Sequence, residues 1–144
     1  MWIVRRDRAA RLAWTAACVF YLAHVAAAFQ FQHHWSHAAA YAATARQTAE
    51  VFGIDWGGGL YFNYIFTMVW VVDATWWWRA GIERYRARRP WIARAVQWFF
   101  AFMFFNATVV FGSPPIRWFG LASILVLLTL LASRSRQKQT RSFL

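Results

Sequence analysis

Four apolar stretches, residues 12–31, 60–78, 95–111 and 116–132, dominate this chain of 144 residues. Each approaches the ~20 residues an α-helix needs to cross a bilayer of roughly 30 Å. Sixty per cent of the residues are hydrophobic, including 11 Trp and 14 Phe. A soluble chain of this size has too little interior to hide that much apolar surface, whereas lipid-facing helices tolerate it. The expected fold class is therefore all-α: an integral membrane four-helix bundle in a single domain, with one extracytoplasmic amphipathic surface helix over residues 36–52.

Charge placement supplies the orientation. The net charge is +11, and of 16 basic residues 14 fall in three blocks. Arg5, Arg6, Arg8 and Arg11 precede the first stretch. Arg79, Arg84, Arg86, Arg88, Arg89 and Arg94 lie between the second and third, and Arg134, Arg136, Lys138 and Arg141 follow the fourth. Only Arg46 and Arg117 sit in the other two connections. This is the positive-inside pattern, which places both termini and the basic loop 79–94 in the cytoplasm of a cell (inner) membrane protein. The same residues meet anionic headgroups, so the charge argues for a lipid bilayer as partner and against nucleic acid. The first stretch begins with a basic segment, as a secretory signal does. It exceeds a signal core in length and contains Trp14, Tyr21 and His24, so it is expected to be retained. The single Cys18 forms no internal disulfide and is expected to pack as a small apolar residue.

No Gly or Pro occurs before Gly53, and Ala is abundant, so helix should persist into the first outer connection. A straight helix over 33–52 would rise roughly 30 Å. Seven residues, 53–59, span at most about 25 Å on the way back. The chain should therefore bend near Gln32–Ser36 and continue along the outer surface, with Ala38, Tyr41, Ala42, Ala45, Ala49 and Phe52 on its apolar face. Gly57-Gly58-Gly59 reads as a flexible turn; it lacks the Lys-Ser/Thr ending of a phosphate loop. Trp14, Trp76, Trp77, Trp78 and Trp91 suit one interfacial belt, and Trp35, Trp56 and Trp118 the other. Helix is expected to run past Trp78 toward Arg89 and stop at Pro90. Arg117 should snorkel outward, and the polar tail 133–144 should fray.

Few residues in such a chain invite chemistry. His33, His34 and His37 cluster at the bend, with His33 and His37 one helical turn apart. That spacing can chelate a transition metal, with Glu50 or Asp55 as oxygen donors. A bis-histidine haem would need the outer helix folded back or two protomers, because all four histidines belong to the first stretch and its extension. Asp73 is the one acidic residue inside a stretch. A carboxylate there costs about 2.5–3.5 kcal/mol at the bilayer centre, so it should pair with Arg79, Arg94 or Arg11, or accept from Thr15 or a Trp indole. His24 and Asp73 form a candidate proton relay, although their depths differ by more than a helical turn. Asn63 and Asn106 are expected to bond across helix interfaces, or to complete a polar pocket under the histidines with Tyr61 and Tyr64. The leading expectation is an accessory or structural membrane subunit that engages a membrane protein partner or its own copies. The alternatives are a metal- or haem-binding redox protein using His33, His34 and His37, and a proton-coupled transporter unit using Asp73 and His24. No catalytic residue set is legible, and a non-enzymatic role is the expectation.

Overall fold

The computed structural model describes residues 2–141, which are helical throughout apart from short connections and contain no strand. The chain divides into two compact units, Met1–Phe100 and Ala101–Leu144.

In the first unit, α1 (Trp2–Ala28) runs without interruption into a π-helical turn, Phe29–His33. The helix ends because His34 and Trp35 adopt left-handed backbone conformations, with φ 47° and 56°. The amide of Trp35 donates back to the Phe29 carbonyl at 3.0 Å. Ser36 then caps α2 (His37–Phe52), its hydroxyl accepting from the Ala39 amide at 3.2 Å. The expected bend is thus a real break, and α2 matches the expected surface helix within a residue.

The face that α2 buries overlaps the expected one only in part, at Ala45 and the half-buried Tyr41 and Ala49. Ala40, Ala45 and Thr48 are buried, while Ala38, Ala42 and Phe52 are exposed. Thr44 and Thr48 satisfy their hydroxyls on the carbonyls of Ala40 and Thr44, each at 2.9 Å. Threonine so satisfied is small and nearly apolar, so it can face a neighbouring helix. The glycines of the following loop are part of that contact. Gly57 and Gly58 are buried. A Cβ on Gly57 would collide with the Tyr41 carbonyl, and one on Gly59 would sit 3.2 Å from Thr44 Cγ2. The triple glycine is a close-approach surface rather than the flexible turn read from sequence.

The long α3 (Gly59–Arg86) carries one break, at Gly81, with φ 74° and ψ 170°. α4 (Pro90–Phe105) begins on a proline, whose missing N–H is no loss at a first helical position. The packing of α1 on α3 and on Phe100 of α4 is aromatic. Trp14 lies 4.9 Å and Phe66 4.6 Å, centroid to centroid, from Phe100, and Tyr21 stacks on Trp70 at 5.3 Å. Trp14 is half-buried in this aromatic packing. Cys18 is buried on α1, as expected of a small apolar residue.

In the second unit the end of α4 passes into another π-helical turn, Asn106–Val110, and α5 (Pro114–Arg141) returns after the turn at Gly112. Gly120 of α5 lies directly against the Thr108 side chain, whose hydroxyl donates to the Phe104 carbonyl at 2.7 Å. A small residue here lets the two segments approach closely. Arg117 donates to the Gly112 carbonyl at 3.4 Å. Helix continues to Arg141, past the point at which fraying was expected; Ser142–Leu144 lie outside the described residues.

Among the described residues, two helical runs are long and apolar enough to cross a membrane, Asp7–His33 and Pro90–Val110, and Pro114–Leu130 is a shorter apolar helix. The 60–78 stretch is helical but absent from that set, because Asn63, Asp73 and its Trp and Tyr residues lower its hydropathy.

Candidate functional site

The most developed polar arrangement is built around Asp73, whose side chain is 5% exposed. Its Oδ1 accepts from Arg88 Nη1 at 2.6 Å, and its Oδ2 accepts from the Tyr85 hydroxyl at 2.8 Å and the Trp14 indole at 3.1 Å. Both oxygens are thus occupied. Arg88, 10% exposed, also lies over the Tyr85 ring at 4.2 Å, and Tyr85 stacks flat on Trp77 at 4.4 Å. An ion pair this enclosed persists only when each partner gains further hydrogen bonds, because both charges have lost their water.

Local backbone produces the arrangement. Gly81 turns the chain, and a tight connection after Ala87, whose amide bonds the Glu83 carbonyl at 2.9 Å, carries Arg88 back toward α3. Sequence reasoning named a Trp indole correctly but selected Arg79, Arg94 or Arg11 as the cation. It missed Arg88 and Tyr85. The available signal was Gly81, which stands between Asp73 and both partners and uncouples them from a straight-helix register. Burial, and then the neighbouring carboxylate, push the Tyr85 hydroxyl up to about 12, with Arg88 opposing the shift.

Beside this cluster the Arg11 guanidinium stacks on Trp78 at 3.9 Å, and the Trp78 indole donates to Thr15 at 2.9 Å. Asp7 and Arg86 form an exposed pair at 2.5 Å. The buried Arg11 Nε and Trp70 Nε1 have no hydrogen-bond partner among the described residues.

The histidines occupy the far end of α1. His33 packs edge-on to Phe29 at 5.5 Å, and His34 is the left-handed residue that ends the π-helical turn. His37 Nδ1 lies 3.0 Å from the Tyr64 hydroxyl, with the Tyr41 and Tyr61 rings within 6.4 Å and 5.9 Å. Among the described residues no group of three or more His, Cys, Asp or Glu side chains converges in a way that could hold a metal ion. Trp35 reaches back to Gln30, indole to amide oxygen, at 2.8 Å. The break is therefore fastened by side chains from both sides.

The remaining candidates are dispersed. His24 is exposed on α1, whereas Asp73 is buried. The Asn106 amide donates to the Phe102 carbonyl of its own helix at 2.8 Å, not across an interface. Asn63 is exposed, and its backbone carbonyl accepts from Thr67 at 2.8 Å. For Asn106 a nearby backbone partner competes successfully with a longer-range one. No protein-family model, curated protein or solved structure matches the chain.

Proposed function

We propose that this chain is a four-span protein of the cell (inner) membrane with both termini in the cytoplasm, acting as an accessory or structural subunit. One observation carries the reading: its largest apolar side chains point outward. Phe31, Phe20 and Trp98 are 78%, 76% and 75% exposed, while the buried set is small and includes the charged Asp73. In water that distribution is an aggregation surface; in lipid, or against partner helices, it is the expected one. The enclosure of Asp73 by three donors supports a structural role, because a transport or catalytic site needs polar groups free to meet a substrate. Purification in mild detergent tests this. The expected result is a homo-oligomer or a co-purifying membrane protein; a strictly monomeric chain with neither overturns the subunit role.

A second reading has an observation of its own. The π-helical turn and the left-handed His34 and Trp35 concentrate irregular backbone at the histidines, and such irregularities recur at functional sites. On this reading His33, His34 and His37, which do not converge within one chain, bind a transition metal or haem for redox chemistry together with ligands from a second copy. Metal analysis and absorption spectra of the purified protein, before and after reconstitution, decide it. Finding no stoichiometric metal and no haem band, even after reconstitution, would remove it. The proton-coupled reading with Asp73 and His24 requires that Asp73→Asn abolish flux in vesicles while the fold is kept.

A further inference from the structure

One cavity lies against the Asp73 cluster, entirely within the first unit, with a volume of about 300 Å³. Along α3 its wall is Met68, Val72 and Trp76, spaced four residues apart and so on one stripe. That stripe covers about 12 Å of helix axis at ~1.5 Å per residue. Ile92 and Val96 of α4 line it as well, and the largely buried Asp73–Arg88 pair lies at its edge. The volume is at the lower end of the ~300–1,000 Å³ range of ligand pockets. An open apolar groove along a helix, with a buried ion pair at its edge, can receive a hydrocarbon chain whose polar head lies toward the basic connection.

Chemistry selects the head. Asp73 has little acceptor capacity left, since it is buried and Trp14, Tyr85 and Arg88 take three of its about four lone-pair positions. Arg88 is different. A guanidinium has five N–H donors, and its described partners are only Asp73 and Tyr85. The site therefore presents donors and wants an acceptor. The surrounding connection, residues 79–94, carries six arginines against one acid, Glu83, and Arg79, Arg84 and Arg89 are exposed. Fields of that sign concentrate anions at a membrane surface, and arginine favours the planar, multi-donor recognition of phosphate oxygens.

We infer that this cavity binds one acyl chain of an anionic phospholipid, whose headgroup accepts hydrogen bonds from Arg88 and is held by the exposed arginines beside it. The inference rests on the membrane reading above. It goes beyond general attraction of basic loops to lipid, because it names a place, a chain and a headgroup contact.

The test uses the full chain in vesicles of phosphatidylcholine doped with phosphatidylglycerol that bears a photoreactive group in one acyl chain. Adducts mapped by peptide mass spectrometry are expected at Met68, Val72 and Ile92. Unlabelled phosphatidylglycerol should compete them away, and added phosphatidylcholine should not. Val72→Trp fills the groove from an exposed position and should abolish the competed adducts; Val71→Trp, on α3 but outside the groove, should leave them. Arg84→Gln with Arg89→Gln should remove the preference for phosphatidylglycerol without disturbing the buried ion pair. Uniform labelling that extends to Phe20 and Phe31, or equal competition by phosphatidylcholine, overturns the site while leaving the membrane reading intact. Failure of the chain to enter vesicles at all overturns both.

Discussion

Asp73 illustrates how a single charge is made tolerable in an apolar chain. Its carboxylate is closed by one guanidinium, one phenol and one indole, so removing the charge leaves Arg88 buried without its counterion. Breaking such a pair from one side costs about 3–5 kcal/mol, whereas replacing both partners by apolar residues is often neutral. Asp73→Asn should therefore lower the unfolding temperature in detergent sharply, and Asp73→Leu combined with Arg88→Met should recover most of the loss. An unchanged unfolding temperature in Asp73→Asn would show that the pair has no structural role. Tyr85 reports on the same cluster. Its hydroxyl is raised from 10 to about 12, so the fold favours the neutral phenol. That contribution is complete below pH 10 and is lost as pH rises through about 12. The phenolate absorbance that disappears in Tyr85→Phe should accordingly emerge near pH 12. At the other end of α1, His34 holds φ 47°, a conformation costing a non-glycine residue roughly 1–2 kcal/mol. His34→Gly should stabilise the chain by about 1 kcal/mol in thermal or denaturant unfolding, since glycine is the usual residue at a left-handed helix end.

Two elements owe their form to glycine. At Gly81 the values φ 74° and ψ 170° fall in a region essentially reserved for glycine, although a Cβ there would meet no neighbour. Gly81→Ala should cost about 1–3 kcal/mol through the backbone alone. It should also straighten α3 and withdraw Tyr85 and Arg88 from Asp73, which a return of the Tyr85 titration toward its ordinary value would reveal. Gly57 makes the opposite case: there the obstacle is the Tyr41 carbonyl, not the dihedral angles. The extent of α2 was legible because an unbroken alanine-rich run ends at Gly53, which takes φ 72°. Its buried face was legible only in part. Thr44 and Thr48 read as polar until their hydroxyls are seen to be spent on their own helix.

At the scale of the whole molecule, alternating charge blocks predict an accessible pattern. In intact cells a membrane-impermeant thiol reagent should label Asp55→Cys, while Arg84→Cys should react only after lysis; native Cys18, being buried, should stay silent. Labelling of Arg84→Cys from outside would invert or abolish the proposed orientation. The partition between stretches follows a similar logic. Asp7–His33 and Pro90–Val110 qualify as spans on length and hydropathy alone. The 60–78 stretch depends on Asp73 being neutralised by partners that hydropathy does not count.

Helical class, the break before Ser36, the two-sided distribution of arginine and the singular position of Asp73 are all written in the order of residues. They depend on propensity, period and charge, which act over a few neighbours. The identity of Asp73's cation, the face of α2 that is buried and the groove between Met68 and Ile92 depend on where Gly81 sends the chain. That is a question of contacts between residues far apart in sequence. Only the assembled helices settle it, because a buried charge takes the donor that geometry brings to it and not the one nearest along the chain.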